Sequence, residues 1–80
     1  MDKEKIVKEL NLVFQRVFDD PSLMIFESMT AKDVEDWDSL SHIRLIVEVE
    51  KHFSISLTTK EVKSLANVGE FIHLIFRKKN

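Results

Sequence analysis

The chain contains no cysteine, only one glycine and only one proline among its 80 residues. Without cysteine, neither a disulfide framework nor a thiolate metal site is available. So few turn-forming residues argue against an all-β fold, which needs many turns. No segment approaches the length of a membrane span, and the charged first residues lead into an amphipathic segment rather than the apolar run of a signal peptide. We therefore expect a cytoplasmic protein that does not insert into membranes.

The charge balance is close to neutral, with 12 basic and 14 acidic residues and a formal net charge of −2. This balance argues against general binding to nucleic-acid phosphates. A hydrophobic content of 44 %, with six Phe, is enough for a core and excludes a disordered chain. Eighty residues allow one small domain. We therefore expect a single domain over residues 1–80, monomeric and without a nucleic-acid partner.

Apolar residues at three- and four-residue steps predict a first helix over residues 2–18. Pro21 ends this helix, because proline lacks a backbone donor and disfavours the helical conformation in its predecessor. The following connection, residues 19–37, has no clear period but is too apolar for a free linker. We expect it to lie over the helix ends with Leu23 and Phe26 buried. The stripe of the first helix consists of Ile6, Val7, Leu10, Val13, Phe14 and Val17.

A second helix is predicted over residues 39–53, which contain neither Gly nor Pro, with Asp38 as its N-cap. At about 100° per residue, it has one apolar stripe and a second stripe, mixed with charge, nearly opposite. The second stripe begins beside Ser39 and is either a partner surface or a surface covered by the long loop. Arg44 on this stripe either meets a partner or pairs with Glu48. The inward stripe is Leu45, Ile46, Val49 and Phe53; the other is Leu40, Ile43 and Val47, alongside Arg44, Glu50 and Lys51.

Two shorter patterns predict the remaining helices. After an extended stretch over residues 53–57, Thr58 and Glu61 fit a capping box for a short third helix that carries Val62 and Leu65. Asn67 and Glu70 offer the same arrangement for a last helix, whose C-terminal end is basic, as the helix dipole favours. The expected inward residues of this helix are Phe71, Ile72, Ile75 and Phe76. The predicted fold is all-α: a small four-helix bundle with three longer helices, one short helix and a long first loop.

Ser39 is the residue most suited to chemistry. It lies at the first exposed turn of a helix, where free N–H groups and the positive dipole end suit a phosphate ester or diester. A hydrolase with Ser39 as nucleophile and His42 beside it is disfavoured, because no Gly-rich turn supplies an oxyanion hole. A bundle of this size also leaves little room for an enclosed pocket. We therefore predict that the protein is not an enzyme.

No metal site is predicted. His42, His52 and His73 share no metal-binding spacing, so we expect surface or partly buried histidines. The acidic residues 33–38 lack the Gly and the terminal Glu of a calcium loop and indicate a solvated helix start. Trp37, just before the helix, is expected to anchor the preceding loop on the bundle.

With these residues assembled, the chain resembles an acyl carrier protein over nearly its whole length. The tripeptide Asp38-Ser39-Leu40 opens a helix, as it does in that family. The later segments that resemble the family are residues 48–53 at the end of that helix, 55–57, 61–65 and 67–70.

The resemblance implies that Ser39 carries 4′-phosphopantetheine, attached through a phosphodiester by a separate phosphopantetheinyl transferase. The terminal thiol of the arm then holds an acyl group as a thioester, so the lack of cysteine is no obstacle. It also implies that Asp38 helps the transferase to recognise the serine. The surface expected to meet acyl-loading and acyl-transfer enzymes consists of Leu40, Ile43, Arg44, Val47 and Lys51.

Two features differ from the carriers of fatty-acid synthesis. Those carriers usually have Gly and a small or polar residue before Asp-Ser-Leu, whereas this chain has Asp36-Trp37. Their second helix is strongly acidic, whereas His42, Arg44 and Lys51 interrupt the carboxylates here. Trp-Asp-Ser-Leu is more similar to specialised stand-alone carriers of bacterial surface-polysaccharide or secondary-metabolite pathways. The alternatives are fatty-acid synthesis itself, an aminoacyl or peptidyl carrier, and an unmodified helical protein-interaction module.

Overall fold

A computed structural model describes residues 1–79 of the chain, which form four α-helices and no strand. The all-α prediction, with three longer helices, one short helix and a long first loop, is confirmed. Within these residues, no helix is both long and apolar enough to cross a membrane. The helices are α1 (Lys3–Val17), α2 (Ser39–Phe53), α3 (Thr59–Lys63) and α4 (Val68–Lys79).

The core lies between α1, α2 and α4, with α1 packed against both of the others. Two side-chain pairs show that α1 and α2 are antiparallel: Glu9 meets His52, and further along α1, Arg16 meets Glu48. The predicted inward stripe of α2 is buried, and so is that of α1 apart from a half-buried Val7. In α4 the prediction for Phe76 is wrong. Phe76 is 37 % exposed, because at about 100° per residue it lies at one edge of the buried face, beyond Ile72, whereas Leu74 at the opposite edge is covered.

Side chains of α1 hold the first part of the long loop. The Gln15 amide donates to the carbonyls of Pro21 (3.1 Å) and Leu23 (3.0 Å). The Asn11 side-chain oxygen accepts from the Ile25 backbone N–H at 2.8 Å. These three bonds satisfy backbone groups that have no helix or strand partner, so the loop has a defined path along α1.

The second part of the loop is joined to the start of α4. The Met29 carbonyl accepts from Val68 N–H at 2.9 Å, and the Glu27 carbonyl accepts from Gly69 N–H at 2.8 Å. A Cβ at Gly69 would lie 3.1 Å from the Glu27 carbonyl oxygen, which is closer than an ordinary contact. The single glycine of the chain therefore permits a close approach between loop and helix.

The prediction that Phe26 is buried is wrong, because its ring is 49 % exposed. The backbone bonds of residues 27 and 29 to α4 direct the Met29 side chain inward, and Met29 is buried with Val34 and Trp37. Leu23 is half-buried and packs against the core, as expected. The expected anchoring of the loop by Trp37 is confirmed.

The connections around α3 follow the predicted caps. Thr58 and Glu61 form the reciprocal capping box, with Thr58 N–H donating to the Glu61 carboxylate at 2.9 Å. The Asn67 side chain accepts from Glu70 N–H at 2.9 Å at the start of α4. Leu65 is half-buried but follows the end of α3.

Candidate functional site

The start of α2 is fixed by a reciprocal cap between Asp38 and Ser41. The Asp38 carboxylate accepts from Ser41 N–H at 2.9 Å, and the Ser41 hydroxyl accepts from Asp38 N–H at 2.8 Å. The same hydroxyl donates to the Asp36 carbonyl at 2.7 Å. The predicted capping role of Asp38 is confirmed, whereas the role of Ser41 as its reciprocal partner was not predicted. The signal for Ser41 was its place three residues after the cap, where a Glu or Gln is the usual partner and a serine is easily overlooked.

The Asp38 carboxylate is held in its ionised form. Hydrogen bonding, first from the Ser41 backbone N–H, lowers the pKa of Asp38 below its ordinary value. A carboxylate that accepts backbone N–H bonds is stabilised as the anion, and it also complements the positive end of the helix dipole. A negative charge therefore lies immediately before Ser39.

Ser39 is the first residue of α2 and is exposed. Its hydroxyl makes no hydrogen bond within residues 1–79. The capping bonds on either side of it, made by Asp38 and Ser41, hold its backbone while leaving its side chain open to solvent. The structure therefore presents this hydroxyl on a rigid helix start, accessible to a large reagent.

His42 makes no hydrogen bond to Ser39 and is held by Trp37 instead. The Trp37 indole N–H donates to His42 Nδ1 at 3.1 Å, and the two rings are stacked with centroids 6.1 Å apart. Because an indole N–H only donates, Nδ1 must be unprotonated in this arrangement. Burial lowers the pKa of His42, opposed by a hydrogen bond to the Val62 backbone. His42 therefore has a structural role, joining the loop to α2, and no sequence pattern indicated its pairing with Trp37.

The other candidates for metal chemistry are placed apart from one another. His52 Nε2 lies 2.7 Å from Glu9 Oε1, and His73 is exposed on α4. In the acidic segment, Asp33 accepts from Thr30 N–H at 2.9 Å. Among residues 1–79, no three His, Asp or Glu side chains come together as a possible metal site.

The second apolar stripe of α2 is exposed. Leu40, Ile43 and Val47 are 71 %, 62 % and 41 % exposed, so the interpretation in which the long loop covers them is wrong. The loop cannot reach them because its buried residues pack into the core on the opposite side of α2. A Glu48 pairing with Arg44 is also wrong, since Glu48 meets Arg16 of α1 at 3.6 Å.

Comparison with known proteins gives a consistent result. No protein-family model matches the chain. The acyl carrier protein of Acidothermus cellulolyticus is 29 % identical over 75 residues, which cover 94 % of this chain and 89 % of that protein. The solution NMR structure of the holo acyl carrier protein from Geobacter metallireducens is 38 % identical. It superposes with a TM-score of 0.86 and covers 91 % of this chain and 84 % of that one.

Both proteins match this chain over most of their length, and the Geobacter protein shares its fold. The resemblance drawn from Asp38-Ser39-Leu40 is confirmed at the level of the family. The chain belongs to the acyl carrier protein family.

Proposed function

We propose that Ser39 carries 4′-phosphopantetheine and that the chain, residues 1–80, works as one carrier domain. The single observation behind this proposal is the exposed, unbonded Ser39 hydroxyl at the rigid start of α2, in a fold that matches a solved holo acyl carrier protein. Carrying an acyl group as a thioester, rather than catalysis, is the role of this family.

The residues at the start of α2 fit such a group. The Ser39 side chain has no partner within residues 1–79 that it would have to lose on esterification. A phosphodiester on its oxygen would lie at the N-terminal end of α2, where the helix dipole favours negative charge. The neighbouring side chain does not obstruct the site, because Leu40 is itself exposed.

The attachment reaction needs only a nucleophile from this chain. The Ser39 oxygen forms a bond to the phosphorus next to the pantetheine of coenzyme A, the pyrophosphate bond breaks, and adenosine 3′,5′-bisphosphate leaves. The serine proton goes to a base of the phosphopantetheinyl transferase, because His42 is turned to Trp37. Asp38 positions the turn and offers its ionised carboxylate to the transferase.

We further propose a specialised pathway, such as surface-polysaccharide or secondary-metabolite synthesis, rather than general fatty-acid synthesis. Two features support it: Asp36-Trp37 precedes Asp38-Ser39-Leu40 where carriers of fatty-acid synthesis usually have Gly and a small or polar residue, and basic side chains interrupt the exposed surface of α2. An aminoacyl or peptidyl carrier would use Ser39 in the same way, with an adenylating partner, and is the second candidate. Loading assays with acyl and aminoacyl donors would distinguish the two.

The test is intact-mass measurement after incubation with coenzyme A and a broad-specificity phosphopantetheinyl transferase. The wild-type chain should gain one phosphopantetheine and Ser39→Ala should gain none. Ser56→Ala removes an exposed serine outside the helices and is the matched control, so it should be modified like the wild type. A wild-type chain that stays unmodified would favour an unmodified protein-interaction module.

A further inference from the structure

The exposed surface of α2 combines apolar and basic side chains on one side of the helix. At about 100° per residue, five residues fall within about 100° of one another around the helix axis, and all five are exposed. We call them the outer face of α2: Leu40, Ile43, Arg44, Val47 and Lys51. Three apolar side chains in a row, open to solvent beside a modification site, indicate a surface that a partner covers.

Neither basic side chain of the outer face forms an ion pair within residues 1–79. Glu48, one helical turn after Arg44, is paired with Arg16 of α1 at 3.6 Å. Glu50 accepts from Leu57 N–H at 2.8 Å and is directed to the segment before α3. Arg44 makes no ion pair within the part of the chain that the structure describes.

An open groove of about 520 Å³ runs beside the outer face, between the end of α1 and the start of α2. Two guanidinium groups line it, that of Arg16 from α1 and that of Arg44 from α2. Its carboxylates belong to Asp19, Asp36 and Asp38, and Asp38 already serves as the cap of α2.

The negative charge of Asp38 and the positive charges of Arg44 and Lys51 are separated along α2. Asp38 and Arg44 are six residues apart, or about 9 Å along the axis, and Lys51 lies about 10 Å further. The surface is therefore acidic beside Ser39 and basic over the next three turns. None of the five residues of the outer face is acidic, and the two carboxylates of α2 that flank it are engaged, Glu48 with Arg16 and Glu50 with the Leu57 N–H.

We propose that the outer face of α2 binds a partner enzyme whose surface has an apolar pocket flanked by carboxylates. Arg44 determines which partner enzymes bind. This inference rests on the carrier function proposed above. Opposite charges across an interface speed encounter and suppress wrong partners. A partner built for a carrier with an acidic second helix presents Lys or Arg there, and it would meet Arg44 and Lys51 as like charges.

The experiment uses holo wild-type protein, Arg44→Glu, Arg44→Lys and Lys8→Glu, each confirmed as holo by intact mass. Lys8 is exposed on α1, outside the outer face, and its substitution changes the net charge as much as Arg44→Glu does. Each protein is the acceptor for a malonyl-CoA transferase of bacterial fatty-acid synthesis, whose own carrier is acidic. The kcat/KM of malonyl transfer is measured at about 10 mM and about 1 M salt, where the Debye length is about 30 Å and about 3 Å.

At low salt, Arg44→Glu should raise kcat/KM about tenfold over wild type, a change within the range of electrostatic steering. Arg44→Lys should behave as wild type, and Lys8→Glu should change the rate less than twofold. The gain should vanish at high salt. A transferase whose docking Lys and Arg residues are replaced by Glu should serve wild type better than Arg44→Glu.

Three results would overturn the inference: equal rates for wild type and Arg44→Glu, a gain that survives high salt, or an equal gain in Lys8→Glu. Failure of the proposed function itself is distinguished beforehand, because the intact mass would then show no holo protein.

Discussion

Replacing Phe53 by Ala should remove much of the stability of this domain. Phe53 is the last residue of α2 and is 2 % exposed, on the same stripe as Leu45 and Val49. Truncation of a buried Phe leaves a cavity and costs about 3–5 kcal/mol. At about 0.05–0.15 kcal/mol per residue, an 80-residue domain has about 4–12 kcal/mol in total. The variant should therefore lose at least a quarter of its free energy of unfolding, and all of it if the wild-type domain lies at the low end of that range.

The chain provides both the probe and the matched control. Trp37 is the single tryptophan and lies in the aromatic core, 5.3 Å from Phe14 between ring centroids, so its fluorescence reports unfolding. Phe26→Ala makes the same truncation at a ring that is 49 % exposed, and it should cost about 0.5 kcal/mol or less. With a urea m-value of about 1 kcal/mol/M, Phe53→Ala should lower the midpoint by about 3–5 M. Equal midpoints for the two variants would refute the assignment of the inward face of α2.

The remaining predictions concern the start of α2. The free energy of unfolding should be constant at neutral pH and should fall as the pH drops through 6.5, the ordinary pKa of histidine. The reason is that burial keeps the pKa of His42 in the folded state below its value in the unfolded chain. As the pH falls, the unfolded chain therefore binds the proton first and is favoured. Urea titrations at pH 7.5 and 5.5 should show this loss in wild type and in His73→Gln, and a smaller loss in His42→Gln; an unchanged loss in His42→Gln would contradict it. Ser41→Ala should cost about 1 kcal/mol, because it removes half of the reciprocal cap, and it should slow the modification of Ser39 by the transferase. Normal stability and a normal rate would show that the cap does not position Ser39.

Features set by local sequence could be predicted. Helical periodicity identified the buried stripes of α1 and α2, because 3.6 residues per turn fix which side chains share a face. Caps were predictable for the same reason: Asp38 and Thr58 satisfy N–H groups only two or three residues ahead. Ser39 was singled out by its place after such a cap, without any knowledge of the rest of the fold.

Features set by tertiary contacts could not be predicted. The loop has no period, so nothing in the sequence showed that its bonds to α4 would bury Met29 and expose Phe26. The pairing of Glu48 with Arg16 rather than with a residue of its own helix depends on how α1 packs on α2. His42 was placed beside Ser39 by spacing alone, whereas the structure turns its ring to Trp37.

The central claim, that Ser39 is the site of phosphopantetheine attachment, is tested most directly by peptide-mapping mass spectrometry of the modified protein. The chain is incubated with coenzyme A and the transferase, digested, and the mass of each serine-containing peptide is measured. We expect phosphopantetheine on the peptide that contains Ser39 and on no other. Modification of another serine, or a Ser39 peptide that remains unmodified while the transferase acts on a control carrier, would contradict it.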